Sequence, residues 1–321
     1  MRARYLTYFS YIGTRFRAAE KLWIKNGRNY PDPESVQGIM EIALQKRLRP
    51  ENYPLFQLSS RTDGGVHALN TTAHVDLERP GTKVFDSNYI TYELNKFFAS
   101  HELSIIVRNT LRVNDDFNAR FNAISRTYLY RFAVPKPGIE LSETTSIIQH
   151  APIEEWKRCY FIRLNSFDIE RFKEGAKYFV GYHDFTTFKK FDKLLQNKQN
   201  RRLIYSIDVR PGRPCVTSGT DLKDNILNYW DIVIKGRGFV HNQIRRMVGT
   251  LISVANGKLP PEEIKVMLQV PSKHSWHNFI QSIPPHGLYL CDVEYKPEDL
   301  VFKEQKTSDK CKESDQMTDE E

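Results

Sequence analysis

Arg61, Asp63 and His67 stand around the pair Gly64-Gly65 in the stretch SSRTDGGVHA. Asp-Gly is a common turn dipeptide whose aspartate often caps its own backbone. The alternative is a carboxylate held up for chemistry, which must stay ionised and therefore needs a cation beside it. The second half of the chain offers one. KGRGFVHNQIRRMVG runs from a glycine-flanked strand end into a helix, with Arg245 and Arg246 in its first turns beside Ile244 and Met247. One of two successive helix residues must point near the apolar face, so one of these arginines is partly buried and needs a carboxylate partner. Asp63 can fill that role, and the pair would keep it charged and aimed. A third stretch, DDFNARFNAISRTYLYRF, interleaves Arg120, Arg126 and Arg131 with Phe117, Phe121, Tyr128 and Tyr130. On a strand Tyr128 and Tyr130 share one face. Rings beside arginines suit the stacking of an unpaired base with phosphates nearby. An ordinary half-buried strand of core aromatics fits the segment equally well.

These residues need strands and helices to hold them. RARYLTYFSYIGTRF alternates and breaks at Gly13, which predicts a strand; SVQGIMEIALQKRLR predicts an amphipathic helix with Ser35 as N-cap. The strand TTAHVDL, the helix SNYITYELNKFFAS and the strand LSIIVRNTLRV follow, then RTYLYRF. In the second half DIERFKEGAKYFVGYHDF reads as helical, NRRLIYSIDVRP and LNYWDIVIKGRGF as strands, NQIRRMVGTLISVANG and PPEEIKVMLQV as helices, and HGLYLCDVEY as a final strand. At 321 residues the chain exceeds the usual reach of one core. The expectation is an α+β fold of two lobes with largely antiparallel mixed sheets, residues 1–135 and 156–297, joined by a crossover at 136–155.

Composition narrows the partner. Residues 298–321 hold nine acids and four bases with almost no apolar residue after Phe302, the signature of a disordered acidic tail. Without that tail 43 bases face 30 acids, an excess that points to a polyanion such as nucleic acid, or to a protein kept soluble by its charge. The insert KKFDKLLQNKQNRR, residues 189–202, carries six bases and one acid. Its Lys189, Lys190, Arg201 and Arg202 are candidate phosphate contacts, or a solvated loop. Cys159, Cys215, Cys291 and Cys311 lie far apart with no C-x-x-C pair, and His183 and His241 read as isolated, so no metal site is expected. The cysteines suit a reduced, intracellular setting. Residues 1–19 carry four arginines and no acid, as a mitochondrial presequence would, but with a strand period, so cytoplasm and mitochondrion both stay open. No apolar run is long enough to span a bilayer. P-loop, G-x-G-x-x-G and H-x-E…C-x-x-C motifs are absent.

SSRTDGGVHALNTTAHVD closely resembles the G-R-T-D-A-G-V-H-A signature of the TruA family of tRNA pseudouridine synthases. The likeness recurs in register: YIGTRF resembles Y-D-G-T-x-F, SVQGIMEIAL resembles T-V-Q-G-x-L-E-x-A-L, and FNARFNAISRTYLYRF resembles F-H-A-R-F…R-x-Y-x-Y. GYHDFTTF, GFVHNQIRRMVGTL and PPHGLYLCDVEY continue it to the end of the folded chain, and the pattern looks closest to the animal tRNA pseudouridine synthase-like branch. The resemblance implies a pseudouridine synthase fold with an RNA cleft between its lobes, and no cofactor. It makes Asp63 the nucleophile, Arg245 its basic partner and Tyr128 the tyrosine under the flipped uridine. Arg61 becomes the side chain that fills the vacated stack, and His67, Arg120 and Arg126 join the RNA-binding set. tRNA is the expected partner, with mRNA and a homodimer left open, and with a catalytically retired RNA-binding protein as the alternative. Ile12, Arg17, Asn118 and Asn242 depart from the family pattern where RNA would approach, which puts substrate choice in doubt more than catalysis.

Overall fold

In the computed structural model the chain begins with β1 (Arg2–Tyr11), whose middle is buried on both faces by Tyr5, Leu6 and Phe9. The structure describes residues 1–22, 30–139, 141–142, 144–163, 166–190, 199–215 and 226–303. Helix α1 (Val36–Leu48) starts where expected, because Ser35 Oγ accepts from Gly38 N at 3.1 Å and satisfies one of the first-turn donors. It is followed by β2 (Gln57–Leu58), β3 (His67–Glu78), α2 (Ser87–Ser100), β4 (Ile105–Val113), β5 (Ser125–Pro135) and β6 (Tyr160–Phe161). Then come α3 (Ile169–Lys177), β7 (Gly181–Asp184), β8 (Arg201–Pro211), β9 (Leu227–Gly236), α4 (Gln243–Ala255), α5 (Glu263–Gln269) and β10 (Leu288–Glu294).

The strands form one mixed sheet in the order β4-β1-β3-β10-β5-β9-β8-β7, with β2 on β3 and β6 on β5. The α+β class and the mostly antiparallel pairing hold. The two expected sheets are one, because the last strand enters the middle: β10 runs parallel to β3, pairing Tyr289 with His67, and antiparallel to β5, pairing Leu290 with Tyr128. Neighbouring strands lie about 4.8 Å apart, so this insertion brings the loop before His67 and the Tyr128 region within two strand spacings of each other. One buried cluster runs from Tyr5 and Phe9 through Tyr130 and Phe132 to Phe172, Leu251 and Met267.

Two readings of the sequence need correction. The helix expected over 168–185 ends at Lys177; Gly181, at φ 115°, turns the chain into β7, which pairs with β8 at the sheet's edge. Ordered structure also continues past residue 297. Asp299 accepts from Asn122 at 3.1 Å, and the Phe302 ring lies 3.7 Å beneath the Arg112 guanidinium. Residues 304–321, most of the acidic segment, lie outside the described residues. Among the described residues no helix is long and apolar enough to cross a membrane.

Candidate active site

Asp63 closes a turn with its backbone and presents its side chain to two basic residues. Its carbonyl accepts from Val66 N at 3.2 Å, closing a turn with Gly65 at φ 81° in the position where a β-turn needs glycine. Gly64 is required for a different reason, since a Cβ there would sit 2.3 Å from the Arg17 carbonyl oxygen. That carbonyl belongs to a segment that supports the loop: Ala19 N donates to Thr62 O, and Val36 N at the start of α1 donates to Ala18 O. The Arg17 side chain, one of the departures from the family pattern, is engaged by Asp32 and Glu34.

The Asp63 side chain is not spent on its own turn. Arg245 Nη1 stands 3.3 Å from Oδ2, and His241 Nε2 stands 3.3 Å from Oδ1. Arg245 comes from the first turn of α4 and is itself held by Ile283 O at 2.7 Å and Asn242 Oδ1 at 2.9 Å. Burial opposes ionisation of Asp63, but the hydrogen bond and charge of His241, and then those of Arg245, outweigh it and hold the carboxyl below its ordinary value. The α4 N-terminus adds a positive dipole end on the same side. The neighbouring Arg246 has another environment: it lies 3.5 Å over the Trp276 ring, and burial pushes its pKa down to about 10.

Tyr128 lies on β5 at 7% exposure, packed edge-on against Phe239 with ring centroids 5.1 Å apart. Burial raises its pKa to about 12, so it is a neutral phenol at physiological pH, hydrogen-bonded to Ser60. Arg126 on the same strand ties the walls together, donating to Ser60 Oγ, Ser59 O, Arg120 O and Arg237 O. Its guanidinium thus braces backbone rather than standing open to a phosphate. Arg61 and Arg120 are exposed, and Arg61 Nε lies 2.8 Å from a Glu20 carboxylate whose pKa burial raises. Lys190 N donates to His241 O at 3.0 Å, so the basic insert starts beside the site, and Arg201 and Arg202 open β8. Residues 191–198 between them lie outside the described residues.

His67 is a correction. It is fully buried, with Nδ1 accepting from Gly13 N at 3.0 Å and Nε2 at 3.1 Å from the carbonyls of Lys157 and His286. It holds backbone and cannot reach RNA. His241, read from sequence as isolated, is the missed member of the site. It precedes α4 in a turn where Asn242 stands at φ 60°, so helical spacing carried no signal of its direction.

The family model described as tRNA pseudouridine synthase matches residues 176–296. A frog (Xenopus laevis) protein named tRNA pseudouridine synthase-like 1 is 33% identical over 93% of this chain and 93% of its own length. The human protein of that name is 32% identical, covering 92% and 91%. The bacterial tRNA pseudouridine synthase A of Dinoroseobacter shibae is 32% identical over 83% and 88%. This chain belongs to the TruA family of tRNA pseudouridine synthases. Within the family it falls with the animal tRNA pseudouridine synthase-like proteins. Among the described residues of this family member, no three His, Cys, Asp or Glu side chains converge as a metal site would need.

Proposed function

We propose that the chain isomerises uridine to pseudouridine in RNA, with tRNA as the substrate and Asp63 as the nucleophile. The observation that carries the reading is an ionised Asp63 gripped on both oxygens by Arg245 and His241. In one route the carboxylate attacks ribose C1′ and the N1–C1′ bond breaks, releasing uracil as an anion within the site. The ring turns, C5 bonds to C1′ as the carboxylate leaves, C5 loses its proton and N1 gains one. In the other route Asp63 adds to uracil C6, the N1–C1′ bond breaks, the ring turns and C5 bonds to C1′, and the carboxylate leaves C6 as C5 loses its proton and N1 gains one. Both balance without a redox step.

The target must first leave its stack, at a cost of a few kcal/mol, and the exposed Arg61, two residues before Asp63, fills the gap. Tyr128, held neutral by burial, supports the base and offers a hydroxyl for the proton step. A binding-only role would leave the cost of holding Asp63 ionised in a partly buried site without a purpose. The test is mass-spectrometric quantification of pseudouridine after incubating purified protein with unmodified tRNA transcripts. Wild-type protein is expected to form it and Asp63→Asn to form none. Transcript binding without product by the wild type would replace the enzymatic reading with the binding-only one.

A further inference from the structure

Beside the candidate active site the surface sinks into a groove of about 500 Å³ that none of the proposed steps uses. That volume is within the range of ~300–1,000 Å³ typical of small-ligand sites. Its apolar walls are unusually open for large side chains: Phe121 is 80% exposed, Tyr205 44% and Ile124 41%. Singly exposed apolar residues need no explanation, but three around one concavity mark a contact surface. Cations stand with them. Arg237 and Lys296 line the groove, and Arg120 lies 5.9 Å from the Phe121 ring centre. Arg237 has no ion pair among the described residues, and Lys296 has only a 4.0 Å approach to the exposed Glu298.

The groove and the candidate active site share walls. The Arg126 guanidinium holds Arg120 O and Arg237 O on the groove side and Ser59 O and Ser60 Oγ on the side of the Asp63 loop. Phe239, two residues beyond Arg237, is the ring packed on Tyr128. A polyanion seated over Asp63 therefore continues naturally into this groove.

We infer that the groove takes an unpaired nucleotide of the substrate RNA, adjacent to the flipped uridine, with its base on Phe121 and Tyr205 and its phosphate between Arg237 and Lys296. The inference rests on the RNA-modifying reading above. Rings and cations together suit a nucleotide, because every base has a face to stack and every linkage has a charge to neutralise. The groove also carries a reader for the base edge. Asn122 Nδ2 donates to Asp299 Oδ2, and the other Asp299 oxygen has no hydrogen-bond partner among the described residues. A carboxylate only accepts, so it favours the exposed exocyclic amino group of a base such as cytosine or adenine over uracil, whose one edge donor, N3–H, lies between two carbonyl oxygens that repel it.

The test measures fluorescence anisotropy of labelled single-stranded rC6, rA6 and rU6 at fixed salt, alongside isomerisation of tRNA transcripts by the same preparations. Wild-type protein is expected to bind rC6 and rA6 at least about threefold tighter than rU6. Phe121→Ala, and separately Tyr205→Ala, should weaken rC6 about tenfold, in keeping with stacking contributions elsewhere. Arg237→Gln with Lys296→Gln should weaken all three oligomers and flatten their salt dependence, and Asp299→Asn should bring rC6 and rU6 within about twofold. Phe121 is so exposed that its truncation leaves the core intact, which thermal melts of each variant verify. Wild-type protein that binds RNA and isomerises uridine while these variants bind unchanged would overturn the inference and leave the groove to another occupant, a polypeptide included. Wild-type protein that does neither would bring down the functional reading, and the inference with it.

Discussion

Asp63 sits where burial and charge pull its carboxyl in opposite directions, and the outcome depends on two side chains four residues apart. If it is the nucleophile, Asp63→Asn and Asp63→Ala keep the fold and nearly all RNA affinity while pseudouridine formation falls below detection, which single-turnover assays on saturating transcript would read directly. Arg245→Ala strands a partly buried carboxylate, so turnover should fall by at least about a hundredfold and some stability should go with it; Arg245→Lys restores charge without the fork and should recover part of the loss. His241→Gln keeps a donor but removes the charge that helps to depress the Asp63 pKa, so that pKa rises. The acid limb of kcat/KM should then move to higher pH, and an unmoved limb would show that Arg245 alone keeps Asp63 ionised. The apolar spacing of α4 asked for a counter-charge to one of Arg245 and Arg246, and only the family resemblance chose Arg245; Arg246 lies over the Trp276 ring instead. His241 was not legible in the sequence, because it sits in a strand-to-helix turn where Asn242 adopts φ 60° and no periodic pattern reports direction. His67 misled for a related reason: a sequence does not distinguish the end of an exposed loop from the first residue of a buried strand.

Elements set the precision with which these residues meet, and the loop between β2 and β3 leaves little room for error. Gly65→Ala puts a Cβ into a left-handed position at a cost of about 1–2 kcal/mol. Gly64→Ala collides with the Arg17 carbonyl and must displace the loop that carries Asp63. Both variants should melt a few degrees lower, with turnover lost far more steeply at Gly64; equal turnover in the two would mean that the loop's position is not critical. The basic insert makes an opposite prediction. Neutralising Lys189, Lys190, Arg201 and Arg202 together should weaken RNA binding and flatten its salt dependence while turnover at saturation is retained, because side chains that meet only phosphate carry no chemistry. An unchanged salt slope would identify the segment as a solvated loop. Helix α1 was readable in the sequence from its Ser35 cap and apolar spacing, and α2 from the stretch SNYITYELNKFFAS. Strands β2 and β6 have two residues each and no pattern to read, and β7 was hidden because KYFVGYHDF continues the apolar character of α3 past its end. The central place of β10 could not be read at all, since periodicity says that a segment pairs but not with which partner.

At the scale of the whole molecule, two buried histidines make the fold itself sensitive to mild acid. His67 and His74 are both almost inaccessible, and burial lowers each to a pKa of about 4. For His74 the Arg4 charge pushes the same way, with Asp76 opposing, and Nδ1 accepts from Ala119 N at 3.2 Å, a bond that only the unprotonated nitrogen can make. In the unfolded chain both titrate near 6.5. Between pH 6.5 and 4 the unfolded state therefore binds protons that the folded state refuses, and stability falls as pH falls. Two such groups give a limiting slope of about 2.7 kcal/mol per pH unit in the middle of that window. Depressed carboxyls such as Asp63 and Asp76 also lose their contribution in acid, but only below their ordinary value of 3.8. Glu20 and Asp231, which burial pushes up, pull the other way and reduce the net slope near the bottom of the window. Urea unfolding at pH 7, 6 and 5 should thus show a midpoint that drops steadily with an unchanged m-value. His74→Gln, which keeps an acceptor for Ala119 N, should remove about half of the dependence. A midpoint that stays level from pH 7 to pH 5 would mean that these histidines are charged in the fold, and that the buried seams at Gly13 and Ala119 are held by something other than a neutral imidazole.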